Sequence, residues 1–211
     1  MGLVPVSTSA DYPGGLNPRW ATIYLRKLQA NKDFRDRFID RYMYLYNTNF
    51  NSNIVYKQVS DLFDSIEMYI SDYCVRWNIN EATYRSAIET SLNFALNRNG
   101  ALYNEMVNSF KESWGFGNMN TINLKGFKNT DDIKVMFGNK NNIYSPYDVI
   151  DTTVYYLDTE KMTVSVADDV DDFDCFVVTY GAQEPVTIYD RSFELKTISG
   201  YVNVEIRYSD K

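Results

Sequence analysis

Apolar residues in the first half of the chain recur every three or four positions, which is the spacing of one face of a helix. The clearest stripe runs from Val55 to Ile70, and a second one follows Asn31 through Phe34, Phe38 and Tyr42. Further stripes predict a short helix after Pro18, a helix that Asn80 or Asn78 caps, and another around Leu102, Met106 and Phe110. Because the predicted connections are short, we expect an antiparallel helical bundle over residues 17–115.

The pattern changes near residue 117, after which short apolar runs with an alternating character replace the helical stripes. The last of these runs, Tyr201 to Tyr208, alternates strictly and predicts a strand with one buried face. Val149 to Leu157 and Met162 to Val166, separated by four turn residues, predict a β-hairpin. The other predicted strands are 122–124, 135–137, 173–180, 186–189 and 193–198. The sequence therefore predicts an α+β protein, with an antiparallel, sandwich-like β-domain over residues 120–211.

The charge is distributed unevenly along the 211 residues. There are 28 acidic and 21 basic residues, which gives a net charge of -7, and the 12 acidic and 12 basic residues of positions 1–119 cancel. Positions 120–211 therefore carry the whole excess. Since neither half has a cluster of lysine and arginine, we expect no nucleic-acid partner and no binding to an anionic membrane.

The chain contains no histidine. This absence excludes Ser-His-Asp and Cys-His catalysis, histidine-ligated zinc and a histidine pH switch. The two cysteines, Cys74 and Cys175, are about a hundred positions apart without a third thiol, and we predict that both are buried and free. With no recognisable targeting segment or long apolar run, the chain is expected to be soluble and made in the cytoplasm.

Several separated motifs in the helical half resemble one known family. They are Asn17-Pro18-Arg19-Trp20, Leu25-Arg26-Lys27-Leu28, Phe34-Arg35-Asp36-Arg37-Phe38, Leu45-Tyr46-Asn47-Thr48-Asn49-Phe50, Arg76-Trp77 and Phe94-Ala95-Leu96-Asn97-Arg98. In this order they resemble the C-terminal part of the CotH family of spore-coat protein kinases. The resemblance implies that the family's nucleotide-binding lysine and acidic metal ligands lie upstream of these helices, in a large lobe.

Only residues 1–16, which combine proline, glycine and small polar residues and predict an extended arm, precede the CotH-like motifs. Such an arm provides neither carboxylates for a metal nor a lobe that excludes water. We therefore expect no catalytic residue and no cofactor. The alternative is a fragment of a CotH-type kinase without its ATP site.

Two acidic groups deserve separate interpretations. The run Asp168 to Asp174 makes Asp169, Asp171 and Asp172 weak candidates for Ca²⁺ ligands. The run lacks the glycine and the final glutamate of an EF-hand loop. A solvated loop is therefore the preferred interpretation, and no metal site is predicted. Asp36 and Asp40 are one helical turn apart and next to arginines, which predicts ordinary pairing on a helix surface.

An excess of tyrosine, 18 residues, favours large protein interfaces. The candidate interface residues are Leu3, Val4, Tyr12, Trp20, Tyr44, Tyr46, Arg76 and Trp77. For Arg76 and Trp77 the alternative is that the arginine stacks on the tryptophan of its own bundle. The leading hypothesis is a non-catalytic subunit of an oligomeric assembly, such as a phage tail, neck or baseplate, whose partners are other protein subunits. A third hypothesis is a surface module that binds carbohydrate or protein through the β-domain.

Overall fold

The computed structural model describes residues 23–115, 117–196 and 200–209, so the predicted arm and its interface residues Leu3, Val4, Tyr12 and Trp20 lie outside it. The helices are α1 (Ile23–Gln29), α2 (Lys32–Asn47), α3 (Ser52–Ile66), a short 3₁₀ helix (Glu67–Tyr69), α4 (Ile70–Trp77) and α5 (Glu81–Trp114). The strands are β1 (Met119–Lys125), β2 (Ile133–Phe137), β3 (Ile143–Tyr144), β4 (Asp151–Leu157), β5 (Met162–Val166), β6 (Phe173–Tyr180), β7 (Val186–Ile188), β8 (Ser192–Glu194) and β9 (Tyr201–Tyr208). The predicted α+β class, with helices followed by strands, is confirmed.

Contacts divide the chain into two units. Of the described residues, the sheet unit contains 23–47 and those from Val107 onward, whereas the helical unit contains Thr48–Met106. Helix α2 packs on β4, β2 and β3 and so belongs with the strands. This division differs from the expected one, in which all helices up to residue 115 form one bundle. Helical periodicity shows that a helix has an apolar face, but it does not show whether a helix or a sheet covers that face.

The sheet unit contains a five-stranded sheet in the order β4-β1-β9-β6-β7 and a four-stranded sheet in the order β3-β2-β5-β8. The predicted alternation of β9 is confirmed, since Val202, Val204 and Ile206 are all buried. Phe176 of the first sheet and Phe193 of the second place their ring centroids 5.2 Å apart, so side chains from both sheets meet in the core. This arrangement agrees with the sandwich-like prediction.

One strand pair departs from the predicted antiparallel arrangement. β1 and β9, the first and last strands, lie side by side and run parallel, with Ile122 opposite Val202 and Leu124 opposite Val204. Parallel neighbours need a long crossover connection. Here the connection includes all the other strands, and local turn chemistry could not reveal such a pair.

The predicted hairpin of residues 149–157 and 162–166 is wrong. β4 pairs with β1 at the edge of the five-stranded sheet, whereas β5 pairs with β2 and β8 in the other sheet. The four residues between them therefore connect the two sheets. A hairpin and a crossover between sheets have the same alternation and similar turn residues, so only tertiary pairing separates them.

Helix α2 is joined to the edge strand β4 by its last residue, Asn47, which is buried. The Asn47 amide nitrogen donates to the carbonyl oxygen of Tyr155 at 2.8 Å, and its Oδ1 accepts from the Tyr155 backbone nitrogen at 2.7 Å. The side chain thus imitates a neighbouring strand and satisfies both backbone groups of Tyr155. An edge strand that presents unpaired backbone groups is a liability, and this contact covers one position of it.

Three asparagines lie at the ends of helices in the helical unit. Asn51 caps α3 by accepting from the Asn53 and Ile54 backbone nitrogens. Of the two predicted caps for the next long helix, Asn80 is the N-cap because its Oδ1 accepts from the Thr83 nitrogen at 3.0 Å. Asn78, with a φ of 51°, instead ends α4 in the left-handed conformation.

Two predicted boundaries in the helical unit are wrong. The stripe from Val55 to Ile70 is interrupted by the 3₁₀ helix, and the two helices predicted after residue 80 form one helix of 34 residues. An isolated glycine, here Gly100, does not break a helix and only lowers its stability. Cys74 and Cys175 are buried and free, as predicted.

Candidate functional site

A cleft of about 440 Å³ lies in the sheet unit, between the first turns of α2, the end of α5 and two turns of the strands. Its walls contain three carboxyl groups, two lysines and one large aromatic ring. The lining residues are Lys32, Asp36, Ile39, Asp40, Trp114, Gly115, Gly138, Thr159, Glu160 and Lys161. A concave site in which polar groups converge beside an aromatic ring is a candidate for ligand binding.

Glu160 comes from the turn that connects β4 to β5, and it is only 7% exposed. One carboxylate oxygen, Oε2, accepts from the backbone nitrogen of Leu157 at 2.7 Å. The other, Oε1, has no hydrogen-bond partner in the part of the chain that the structure describes. Burial, which outweighs this hydrogen bond, raises the pKa of Glu160 well above its usual value, and the nearby Asp40 carboxylate raises it further.

The sequence did not predict that Glu160 lines a cleft, because its position suggested an exposed turn residue of a hairpin. The only local signal is that the turn lies between Leu157 and Met162, both of which are buried. Since glutamate is common in exposed turns, that signal does not distinguish a buried carboxyl from a solvated one.

The ordinary pairing predicted on the helix surface is found for Asp36, with a lysine as its partner, but, among the described residues, not for Asp40. Asp36 pairs with Lys32 at 2.5 Å on the same helix face. Asp40 lies against Gly138, and a Cβ at this glycine would collide with both carboxylate oxygens. Burial, followed by the Asp36 charge, raises the pKa of Asp40 from 3.8 to about 6. Two of the three carboxyl groups of the cleft, Asp40 and Glu160, therefore have raised pKa values, and the Asp40 charge disfavours the ionisation of Glu160.

The Asp40 pKa predicts a pH effect on stability. Because the folded chain binds this proton more tightly than the unfolded chain does, stability falls as the pH rises from about 4 to about 6 and stays low above that. The Asp40→Asn variant should lose this part of the pH dependence and be more stable than the wild type at pH 7. Chemical denaturation at a series of pH values measures the effect. Asp61→Asn, which removes an exposed carboxylate of the helical unit, is the control and should keep the wild-type dependence of stability on pH. An unchanged pH dependence in Asp40→Asn would contradict the raised pKa of Asp40.

The acidic run around residue 170 is organised by basic side chains. Arg191 donates to the carbonyl oxygens of Ala167 and Val170, and Lys128 pairs with Asp172 at 2.6 Å. Asp169 and Asp171 are exposed. Among the described residues, no group of three or more acidic or cysteine side chains is arranged to hold a metal ion. The carboxylates of the run thus face water or pair with cations.

The candidate interface residues within the described ranges fall into two environments. Tyr46 is buried against Tyr155, and the Tyr44 ring contacts that of Phe137, so both tyrosines pack α2 on the sheets. Arg76 and Trp77 lie on α4 in the helical unit, where the Arg76 guanidinium is 5.7 Å from the centre of the Trp77 ring. The alternative interpretation of this pair, stacking within the chain, therefore describes the contact correctly, but the Trp77 side chain is still 60% exposed.

Trp77 is part of a larger aromatic surface that sequence reasoning missed. Tyr69, Tyr73 and Trp77 follow one another at intervals of four residues, and the Tyr73 ring lies 5.7 Å from that of Tyr84 on α5. Tyr69 and Tyr73 are 62% and 45% exposed. We call these four residues the aromatic surface. The interval of four was visible in the sequence, but helix α4 was not predicted.

Comparison with known proteins finds one family that the helical half matches. Residues 5–102 match the family described as CotH kinase protein, whereas no curated protein and no solved structure matches the chain. The match covers the N-terminal part of the chain and includes the aromatic surface. In the described part of the chain no helix has the length and apolar character needed to span a bilayer. The resemblance that the sequence motifs indicated is confirmed: residues 5–102 match the family described as CotH kinase protein, and they include those motifs.

Proposed function

We propose that this chain is a non-catalytic, protein-binding subunit whose CotH-family helices dock another protein. The observation that carries the proposal is the aromatic surface of the helical unit. Several other large apolar side chains of the same unit are also exposed, and they are Leu62, Met68, Val75, Phe94 and Leu96. Contiguous exposed apolar surface is typical of protein interaction sites, and tyrosine and tryptophan are enriched among residues that dominate binding energy.

The chemistry of this surface favours a protein partner over nucleic acid or an anionic membrane. The net charge is -7, and residues 48–106 contain seven acidic and four basic residues. An acidic unit repels phosphate backbones and anionic headgroups, and aromatic rings with polar edges suit a partner surface that is partly apolar. A finer assignment, to a phage tail, neck or baseplate, is supported only by the tyrosine-rich composition and belongs to this proposal.

The aromatic surface can be tested by capture of partners from an extract of the source organism. The full chain is compared with the Tyr73→Ser/Trp77→Ser variant, and captured proteins are quantified by mass spectrometry. The control is Val186→Ser/Tyr189→Ser, which removes two exposed apolar side chains of the sheet unit. We expect a defined protein to be retained by the wild type and the control and to be reduced at least about tenfold on the aromatic-surface variant. Equal capture by all three chains would contradict the proposal.

The family match favours a second candidate function, that of a kinase fragment. Its requirement is nucleotide binding, since phosphoryl transfer depends on positioning ATP and its metal ion. Calorimetric titration of the full chain with Mg²⁺-ATP separates the two functions. Saturable binding followed by transfer of the terminal phosphate to a protein would replace the non-catalytic proposal with the kinase one. We expect no heat of binding from the full chain.

A further inference from the structure

The cleft of the sheet unit contains three carboxyl groups but only two lysines among its lining residues. Asp36 is paired with Lys32. Among the described residues, no ion pair joins Asp40 or Glu160 to a lysine or arginine within 4 Å, although Lys161 also lines the cleft. Glu160 in addition keeps one buried oxygen without a hydrogen-bond partner. A buried carboxyl group that lacks a hydrogen-bond partner and a counter-ion destabilises the fold unless another group donates to it.

The walls of the cleft are suited to an organic group rather than to a bare ion. The Trp114 ring and the Ile39 side chain line it beside the carboxyl groups. An aromatic face attracts an ammonium or guanidinium group, and an aliphatic wall accommodates the methylene stem that carries such a group. The cleft volume of about 440 Å³ lies within the range of small-molecule sites and is much larger than a single metal ion needs.

A metal ion is disfavoured by the arrangement of the carboxyl groups. Hard cations need several oxygen ligands at about 2–2.6 Å. No three acidic side chains of the described residues are arranged to provide them. An ammonium or guanidinium group, in contrast, is satisfied by two carboxylates placed on different sides of it.

From these contacts we propose that the cleft binds an organic cation, an ammonium or guanidinium group on an aliphatic stem, between the Asp40 and Glu160 carboxylates and beside Trp114. The cation is either a free amine or a lysine or arginine side chain of another protein. This cation site lies in the sheet unit, and the proposal does not depend on the proposed role of the aromatic surface. Since burial keeps the pKa of Glu160 high, a bound cation would expel its proton to the solvent.

The test uses the full chain and two probes, Nα-acetyl-arginine amide for a protein side chain and 1,5-diaminopentane for a free amine. Each is titrated by calorimetry at pH 6.5 in two buffers that differ in ionisation enthalpy, which reveals proton release. The variants are Glu160→Gln, whose side-chain oxygen can still accept from the Leu157 nitrogen, and Asp40→Asn. Asp61→Asn in the helical unit is the matched control.

We expect at least one probe to bind saturably with release of a proton. The affinity should fall at least about tenfold in Glu160→Gln and in Asp40→Asn and stay unchanged in Asp61→Asn. Binding of the arginine derivative assigns the site to a protein side chain, and binding of the diamine alone assigns it to a free amine. Absence of binding up to about 10 mM, equal binding by all variants, or binding of Mg²⁺ or Ca²⁺ in place of both amines would overturn the proposal.

Discussion

Replacing Asn47 with alanine should destabilise the sheet unit by about 2–4 kcal/mol. The asparagine side chain accepts from the Tyr155 nitrogen and donates to the Tyr155 carbonyl, and it is only 2% exposed. Alanine leaves both backbone groups without these partners and opens a small cavity between α2 and β4. The effect is measured by urea denaturation and by hydrogen exchange of the Tyr155 amide, which should become much faster.

A control for the Asn47 variant exists on α5. The Asn97 amide donates only to the Asn93 carbonyl oxygen of its own helix and is exposed. Asn97→Ala should therefore change stability by no more than about 0.5 kcal/mol. If Asn47→Ala were as mild as Asn97→Ala, or if the Tyr155 amide kept its protection, the edge contact would not be what holds α2 on the sheet.

Replacing Gly126 with alanine is the second change with a large expected effect, about 2–4 kcal/mol of lost stability. Gly126 follows β1 and has a φ of 78°, in the left-handed region that disfavours other residues. A Cβ there would lie 2.6 Å from the Ile206 carbonyl oxygen of the neighbouring strand β9. Because that oxygen is part of the backbone, relief requires movement of the parallel β1–β9 pair. Thermal unfolding of the variant measures the loss.

Gly181→Ala separates the two contributions to this effect. Gly181 also has a positive φ, 57°, but a Cβ there would meet no atom within 4 Å. Its substitution should cost only the conformational part, about 1–2 kcal/mol. Equal losses in the two variants would show that the contact with Ile206 contributes nothing.

Local chemistry explains the parts of the fold that could be predicted. Asn31 was expected to begin a helix, and its side chain accepts from the Phe34 nitrogen at 3.1 Å. The strand 201–208 was expected from alternation, and its buried positions follow it. Helix capping and strand alternation depend on residues within one element, so both can be predicted from the local order of residues alone.

The candidate cleft could not be assembled in the same way. Asp40 and Glu160 are 120 positions apart, and neither has an unusual local sequence. Their proximity requires that α2 lie on the strands and that the turn after β4 cross between the sheets. Because the turn was predicted as a hairpin and α2 as part of a bundle, the two carboxyls could not be placed together.

The sequence by itself determined the α+β class, most helix and strand positions, the absence of histidine chemistry and the similarity of its first half to the CotH family. These properties depend on composition, on periodicity within elements and on motifs. Only the tertiary structure decided that α2 packs on the sheets, that β1 and β9 run parallel, that Glu160 is buried beside Asp40 and that the aromatic surface stays exposed. The physical reason is that an apolar face or a carboxyl has the same local sequence whichever distant residue covers it, and burial depends on that distant residue.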